Sequence, residues 1–338
     1  SVSTQKNGLT AEVIEVKDFD ELNKLGTEKI KGKIVFYNHP FDVRKIMPFS
    51  MYGEAVKYRS AGASQAARYG AVGSIVRSMT NYIDDYPHTG AMNYNDSFPK
   101  IPSCAISTQD AEKLSAALKK GKQNFYMELH SQTLPDAVSY NVIGEIRGTE
   151  HPEEIIAVGG HLDSWDLAEG AHDDGTGVMQ SVEVLRVIKA IGIKPKRTLR
   201  AVLFMNEENG LRGGKEYAHQ DSLNKEKHIL AIETDAGGFT PRGFTMNMSD
   251  EKKKAIAQWK YYFYPFGVYD FTQNGGGADI GPLEKSGVPL MGLSPDNQRY
   301  FIIHHSALDT FEQVNKRELE LGSIALTIMV YLVSEYGL

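Results

Sequence analysis

From Val142 onward, short apolar runs alternate with longer stretches of helical period. The runs are Val142–Ile146, Ile155–Gly159, Leu199–Phe204, Ile229–Ile232 and Val288–Leu293. Their length, flanking glycines and β-branched content predict buried strands. Helices are predicted at Gly177–Ile191, Gly213–Gln220, Asp250–Tyr264 and Lys316–Tyr336. Apolar strands that take turns with helices predict a mostly parallel sheet covered on both faces. Earlier in the chain the pattern is shorter and more polar. Residues 1–30 yield one helix, "DFDELNKLG". Then "GKIVFYN", "AVGSIVRS", "KIPSCAIS" and "QNFYMELHSQ" read as strands, and "YGEAVKYRSAGASQAARYG" and "TQDAEKLSAALKKG" as helices, the latter with Thr108 as expected N-cap. The expected fold class is therefore α/β, with a small α/β domain at 8–135 and a larger one at 136–338. No internal repeat or low-complexity tract interrupts either.

Composition narrows the partners. The 338 residues exceed one ordinary core, which agrees with two domains. Net charge is −6, from 37 basic and 43 acidic residues, and no basic block occurs. Nucleic acid is therefore not an expected partner. The longest apolar stretch, "IALTIMVYLV", is too short to span a bilayer and reads as part of an amphipathic helix, so no membrane span is expected. The opening "SVSTQK" has neither methionine nor an apolar leader and reads as a processed chain or fragment. The one cysteine, Cys104, permits no internal disulfide and reads as a small buried hydrophobe. Sequons at Asn95 and Asn247 weigh slightly toward a secretory route.

The chemistry collects where strands are predicted to end. "EIIAVGG" runs into HLDSWDLAEGAHDDGTG, with His161, Asp163, Asp173 and Asp174. "LRAVLFMN" leads to Glu207 and Glu208, "HILAIET" to Asp235, and "LMGLSPDNQRYFII" to His304, His305 and Asp309. Singly, each has an ordinary explanation: a structural histidine, a solvated "EE", a helix-capping "DD". Four successive strand ends that each deliver His, Asp or Glu make those explanations poor jointly. Ligands of parallel α/β sheets lie beyond the carboxyl ends of the strands. Imidazole and carboxylate without thiolate suit Zn²⁺, with Mn²⁺ or Co²⁺ as substitutes. So many ligands fit two ions about 3.5–4 Å apart that share a carboxylate.

"GGHLDSWD", "GAHDDGTGV", "FMNEENG", "ETDAG" and "HHSALDT", in this order, resemble the co-catalytic zinc peptidases of family M28. The resemblance runs from about residue 8 to the end, and the small domain is similar to the family's protease-associated domain. Members carry further helical sequence before that domain. The resemblance implies two Zn²⁺ per chain, with His161 and Asp235 on one ion, Glu208 and His305 on the other, and Asp173 bridging. It implies Glu207 as general base, Asp163 behind the His161 imidazole, and Asp174 as a helix cap. The implied activity is metal-assisted hydrolysis of short peptides, chiefly dipeptides with free termini, by a secreted or lysosomal enzyme that is expected to be a homodimer. The glycine run "NGGGADIG" could offer backbone N–H groups and Asp279 could meet the substrate amine, with Arg212, Lys215 and Arg299 as candidates for its carboxylate. Two other functions fit the same fold: a non-catalytic binding protein, and a one-zinc glutaminyl cyclase.

Overall fold

The computed structural model describes residues 1–338, which divide into two compact units: 1–137 with 301–308, and 138–300 with 309–338.

The first unit holds β1 (Leu9–Val16), α1 (Phe19–Ile30), β2 (Ile34–Tyr37), α2 (Pro48–Ser60), α3 (Gly62–Ala67), β3 (Gly73–Arg77), β4 (Ser103–Ile106), α4 (Thr108–Leu118) and β5 (Asn124–Met127). Its sheet has the order β4-β3-β2-β1-β5, with β1 to β4 parallel and β5 antiparallel at the edge. Ile34, Phe36 and Ile75 are fully buried and pack with Val13, Ala111 and Met127. Cys104 is half-buried against this cluster, and burial pushes its thiol up to about 11. The N-cap of α4 is Ser107, whose hydroxyl accepts from the Asp110 N–H, so the cap lies one residue before the expected Thr108. The late segment 301–308 belongs to this unit. Phe301 lies 4.9 Å from both Phe49 and Tyr52, and His88 Nδ1 is 2.6 Å from the His304 carbonyl oxygen.

The second unit is built on β6 (Val142–Ile146), β7 (His151–His161), β8 (Arg197–Phe204), β9 (Lys227–Glu233), β10 (Pro241–Asn247) and β11 (Leu290–Pro295). The order is β10-β11-β9-β7-β8-β6. The four central strands are parallel, and both edge strands run antiparallel to their neighbours. The helices are α5 (Thr176–Ala190), α6 (Arg212–Asn224), α7 (Asp250–Ala257) and α9 (Lys316–Tyr336), and the short α8 (Tyr300–Ile303) runs into segment 301–308. One core packs Ile156, Val158, Leu230 and Ile232 under Val184 and Ile188 of α5 and Leu326, Met329 and Val330 of α9. The other packs Ala157, Val202 and Ala231 with Tyr217 of α6 and Leu283. The sheet is thus apolar on both faces, as its near-continuous apolar strands require. By length and composition α9 alone would suit a membrane, but half of its apolar stretch is buried and its apolar face packs into this core.

Candidate metal centre

Three neighbouring parallel strands bring the acidic motifs to one edge. His161 is the last residue of β7, Glu207 and Glu208 follow β8, and Asp235 follows β9. Asp173 sits in the turn Ala171–Gly175 that leads into α5.

The His161 ring is aimed by its neighbour. Nδ1 lies 2.8 Å from the Asp163 carbonyl oxygen. A carbonyl can only accept, so Nδ1 carries the proton and Nε2 faces inward. Nε2 is 3.2 Å from Asp173 Oδ1 and 3.6 Å from Asp235 Oδ1, close contacts without hydrogen-bond geometry. Burial depresses the imidazole's basicity, but the Asp173 and Asp235 carboxylates outweigh it and hold the metal-free ring protonated. The pocket therefore demands positive charge. The ligand atoms of His161, Asp173 and Glu208 lie within 4.8 Å of one another, as do those of His161, Asp174 and Asp235. A buried imidazole nitrogen and an Asp235 oxygen, both without hydrogen bonds among converging carboxylates, are the donor set a divalent cation needs.

Asp174 meets that distance test but is otherwise engaged. Its Oδ2 accepts from the His161 N–H at 3.0 Å and its Oδ1 from the Gly177 N–H at 3.1 Å. It ties the end of β7 to the first turn of α5. Gly160 and Gly177 flank it closely. A Cβ on either would collide with its carboxylate, and one on Gly177 also with the Thr234 carbonyl. These two positions accept only glycine for that reason.

Asp163 has two duties. Besides its carbonyl, its carboxylate accepts from the backbone N–H groups of Glu207 (3.0 Å) and Glu208 (3.3 Å). One residue thus fixes the imidazole and the turn that carries both glutamates. An alanine there keeps the carbonyl that holds the imidazole and takes away only the carboxylate that holds the turn, and losing such a support typically weakens metal binding 10–100-fold. We expect Asp163→Ala to lower zinc affinity by about that factor in competition with a chromogenic chelator, with the fold retained by circular dichroism.

The two glutamates differ in their surroundings. Glu208 Oε2 accepts from Trp165 Nε1 at 2.5 Å. Burial pushes Glu207 up to about 8, reinforced by the Asp235, Glu208 and Asp173 charges. Two supports were given no role from sequence. Trp165 is one. Asp309 is the other: it accepts from the His172 N–H at 2.7 Å and the Asp173 N–H at 3.0 Å, and so holds the Asp173 turn. The order His-Ser-Ala-Leu-Asp-Thr at 305–310 contains the residue but says nothing of its backbone targets.

His172 is structural. Its Nδ1 accepts from the Gly238 N–H, its ring stacks on Phe239 at 4.4 Å, and burial holds it below the ordinary range. His305 lies in segment 301–308, with left-handed φ of 58° and Nδ1 3.1 Å from the Thr89 carbonyl oxygen. Arg299 is bound by both Glu318 oxygens, and Lys215 donates to the Gly210 carbonyl. A further cluster, Asp221, Glu226 and His228, is saturated: His228 is held by Asp221 and Tyr217, and Glu226 by Arg200.

Asp279 is 0% exposed, and neither carboxylate oxygen makes a hydrogen bond. Burial, with the Glu233 and Glu207 charges, pushes it up to about 9. Glu233 holds the adjoining backbone, accepting from the N–H groups of Ala278 (2.7 Å) and Ile280 (2.9 Å). Between pH 4 and 9 the native chain keeps an Asp279 proton that the unfolded chain has lost, so this residue lowers stability as pH rises. Asp279→Asn removes that penalty. In chelator-treated protein its melting temperature, relative to the unsubstituted chain, is expected to gain more at pH 8 than at pH 5. An equal shift at both pH values would contradict a buried neutral carboxyl.

Comparison with known proteins identifies the family. The sequence profile described as Peptidase family M28 matches residues 141–329. Carboxypeptidase Q of Mus musculus is 37% identical over 336 residues, covering 99% of this chain and 70% of the relative. Carboxypeptidase Q of Xenopus laevis is 38% identical over 339 residues, again 99% and 70%. A crystal structure of a peptidase M28 precursor from Shewanella amazonensis superposes with a TM-score of 0.94 at 33% identity, over 99% of this chain and 76% of that one. A zinc aminopeptidase from Bacillus subtilis shares the fold, with a TM-score of 0.66 at 21% identity, over 98% and 77%.

Proposed function

The chain belongs to peptidase family M28 and is a metallopeptidase, and from that premise we propose that it is a dinuclear zinc exopeptidase for short peptides, chiefly dipeptides with free termini. The observation that carries this reading is the convergence of His161, Asp173, Glu208 and Asp235 at three strand ends, with Glu207 beside them. His161 and Asp235 would hold one ion and Glu208 the other, with Asp173 between them. His305 enters as a ligand on its sequence motif alone. When bound, zinc supplies Lewis acidity toward a carbonyl oxygen and a lowered pKa for water.

The protein's own residues do the rest. Glu207, a carboxylate beside the proposed ligands, takes a proton from the attacking water. It then delivers that proton to the leaving amine nitrogen, so its carboxylate is regenerated. Asp163 fixes the turn that carries Glu207 and Glu208 by accepting from both backbone N–H groups. Asp279 enters as a contact for the substrate amine on the sequence alone; in the folded chain it is fully buried and burial pushes it up to about 9. The division into a protease-associated domain and a catalytic domain, a homodimer and a secretory or lysosomal location belong to the same reading.

The zinc-loaded protein is expected to hydrolyse unblocked dipeptides, to turn over N-acetylated dipeptides poorly, and to leave folded proteins intact. Quantifying released amino acids by chromatography decides it. Equal rates on blocked, long and free substrates would refute the dipeptide preference while leaving the peptidase in place.

A further inference from the structure

The segment from His161 to Trp165 meets the metal centre at every second residue. His161 ends β7 and turns Nε2 inward. Asp163 accepts from the backbone N–H groups of Glu207 and Glu208. Trp165 donates from Nε1 to Glu208 Oε2 at 2.5 Å. Glu208 is thus gripped twice by one short stretch, at its backbone and at its carboxylate.

The path of the chain fixes where Trp165 stands. The Leu162 N–H donates to the Phe204 carbonyl at 2.7 Å, which carries the β7–β8 pairing one residue past the strand. Beyond Trp165 the chain folds back on itself. The Ala168 N–H donates to the Trp165 carbonyl at 3.4 Å. Gly170, at φ 64°, passes so near Ser164 that a Cβ on it would collide with that side chain. Both the left-handed backbone and the close approach call for glycine there. Trp165 is held between the strand extension and this return.

An indole N–H can donate and cannot accept. Oε2 therefore meets Trp165 with a lone pair, which the hydrogen bond occupies. The indole is also neutral. A lysine or arginine in its place would answer the Glu208 charge and compete with a cation for it, whereas tryptophan orients the carboxylate and leaves the charge in place. Oε1 is buried, and Glu208 offers an oxygen within 4.8 Å of the His161 and Asp173 ligand atoms.

We propose that Trp165 is a positioning residue for one metal site: its N–H keeps Glu208 Oε2 and leaves Oε1 as the single oxygen that ligates. This role depends on Glu208 being a ligand, as proposed above.

Zinc titrated into the full chain against a chromogenic chelator tests it. Trp165→Phe keeps an aromatic ring and removes the N–H. It is expected to bind two equivalents, one held about 10–100-fold more weakly and the other as before. Added to Glu208→Gln, which should keep one equivalent, Trp165→Phe should cost that equivalent nothing further, because its effect passes through the carboxylate already removed. A tryptophan that only filled space would weaken both equivalents, or add its own cost in the Glu208→Gln background, and either result would overturn the proposal. Should Trp165→Phe fail to fold, fluorescence decides. The chain has two tryptophans, so Trp259→Phe leaves Trp165 as its one indole. Its emission should shift with one of the two zinc equivalents, and should not respond to zinc in Trp259→Phe with Glu208→Gln. Emission that followed both equivalents, or neither, would contradict the assignment. If Glu208→Gln loses an equivalent while Trp165→Phe binds both as tightly as the unsubstituted chain, Trp165 has no such role and Glu208 remains a ligand. If Glu208→Gln itself holds two equivalents, the ligand assignment falls and the role of Trp165 with it.

Discussion

Glu207→Gln is expected to lower kcat by roughly 10²–10⁴-fold while metal content stays unchanged. The amide keeps the shape of the side chain, and the backbone N–H of residue 207 still reaches Asp163. What is lost is a group that can accept a proton and return it. Burial first, and then the neighbouring carboxylates, raise the Glu207 pKa, so before a cation enters its ionised form is disfavoured. KM should move far less than kcat, since the substitution removes a proton transfer and no binding contact. A variant that kept most of its kcat would show that another group moves the proton.

Glu208→Gln should behave differently, and the contrast between adjacent residues is the sharper result. Elemental analysis of the unsubstituted chain, dialysed against trace zinc, should approach two equivalents. In Glu208→Gln one equivalent is expected to be lost or easily chelated, with activity falling in parallel and partly restored by excess zinc. Removing one carboxylate from a cluster whose other members repel one another leaves a weaker anionic cage, and Trp165 Nε1 loses a charged acceptor. One stable equivalent in the unsubstituted chain would sink the dinuclear reading. Two equivalents, equally held in both proteins, would remove Glu208 from the ligand set.

Much of this was legible because parallel strands buried on both faces must be apolar along their whole length. The runs at Ile155–Gly159, Leu199–Phe204 and Ile229–Ile232 stand inside β7, β8 and β9, and the polar residues just after them mark their carboxyl ends. The elements that escaped are those without such a run. Strand β1 interleaves Glu12 and Glu15, which face Lys33, Asn38 and Ser115. Strand β10 opens on a proline and carries Arg242, Gly243 and Thr245 at the sheet edge. The helix expected across Asp250–Tyr264 ends at Ala257 and gives way to tight turns at Lys260–Tyr262 and Tyr264–Phe266, the second containing Pro265. In the centre itself, residue types announced the metal chemistry, but the supports did not announce themselves. Asp309 reaches backbone N–H groups more than a hundred positions away. Such contacts exist only once the chain is folded, and no local pattern encodes them.

The return of residues 301–308 to the first unit bears on how the protein is made. Phe301 fills a place among Phe41, Phe49 and Tyr52, residues synthesised long before it. A nascent chain that has emerged only to Ala137 has every strand of that sheet but must leave these rings uncovered until all of 138–300 has followed. Helix α9 imposes the same delay on the second core, because Leu326, Met329 and Val330 arrive after every strand they cover. Non-local closure of this kind is slow and leaves apolar surface open meanwhile. Biosynthesis of this peptidase is thus expected to lean on chaperones that occupy those two surfaces during translation. A premature stop before residue 301 would yield a chain with neither unit complete, a substrate for quality control rather than a partly working enzyme.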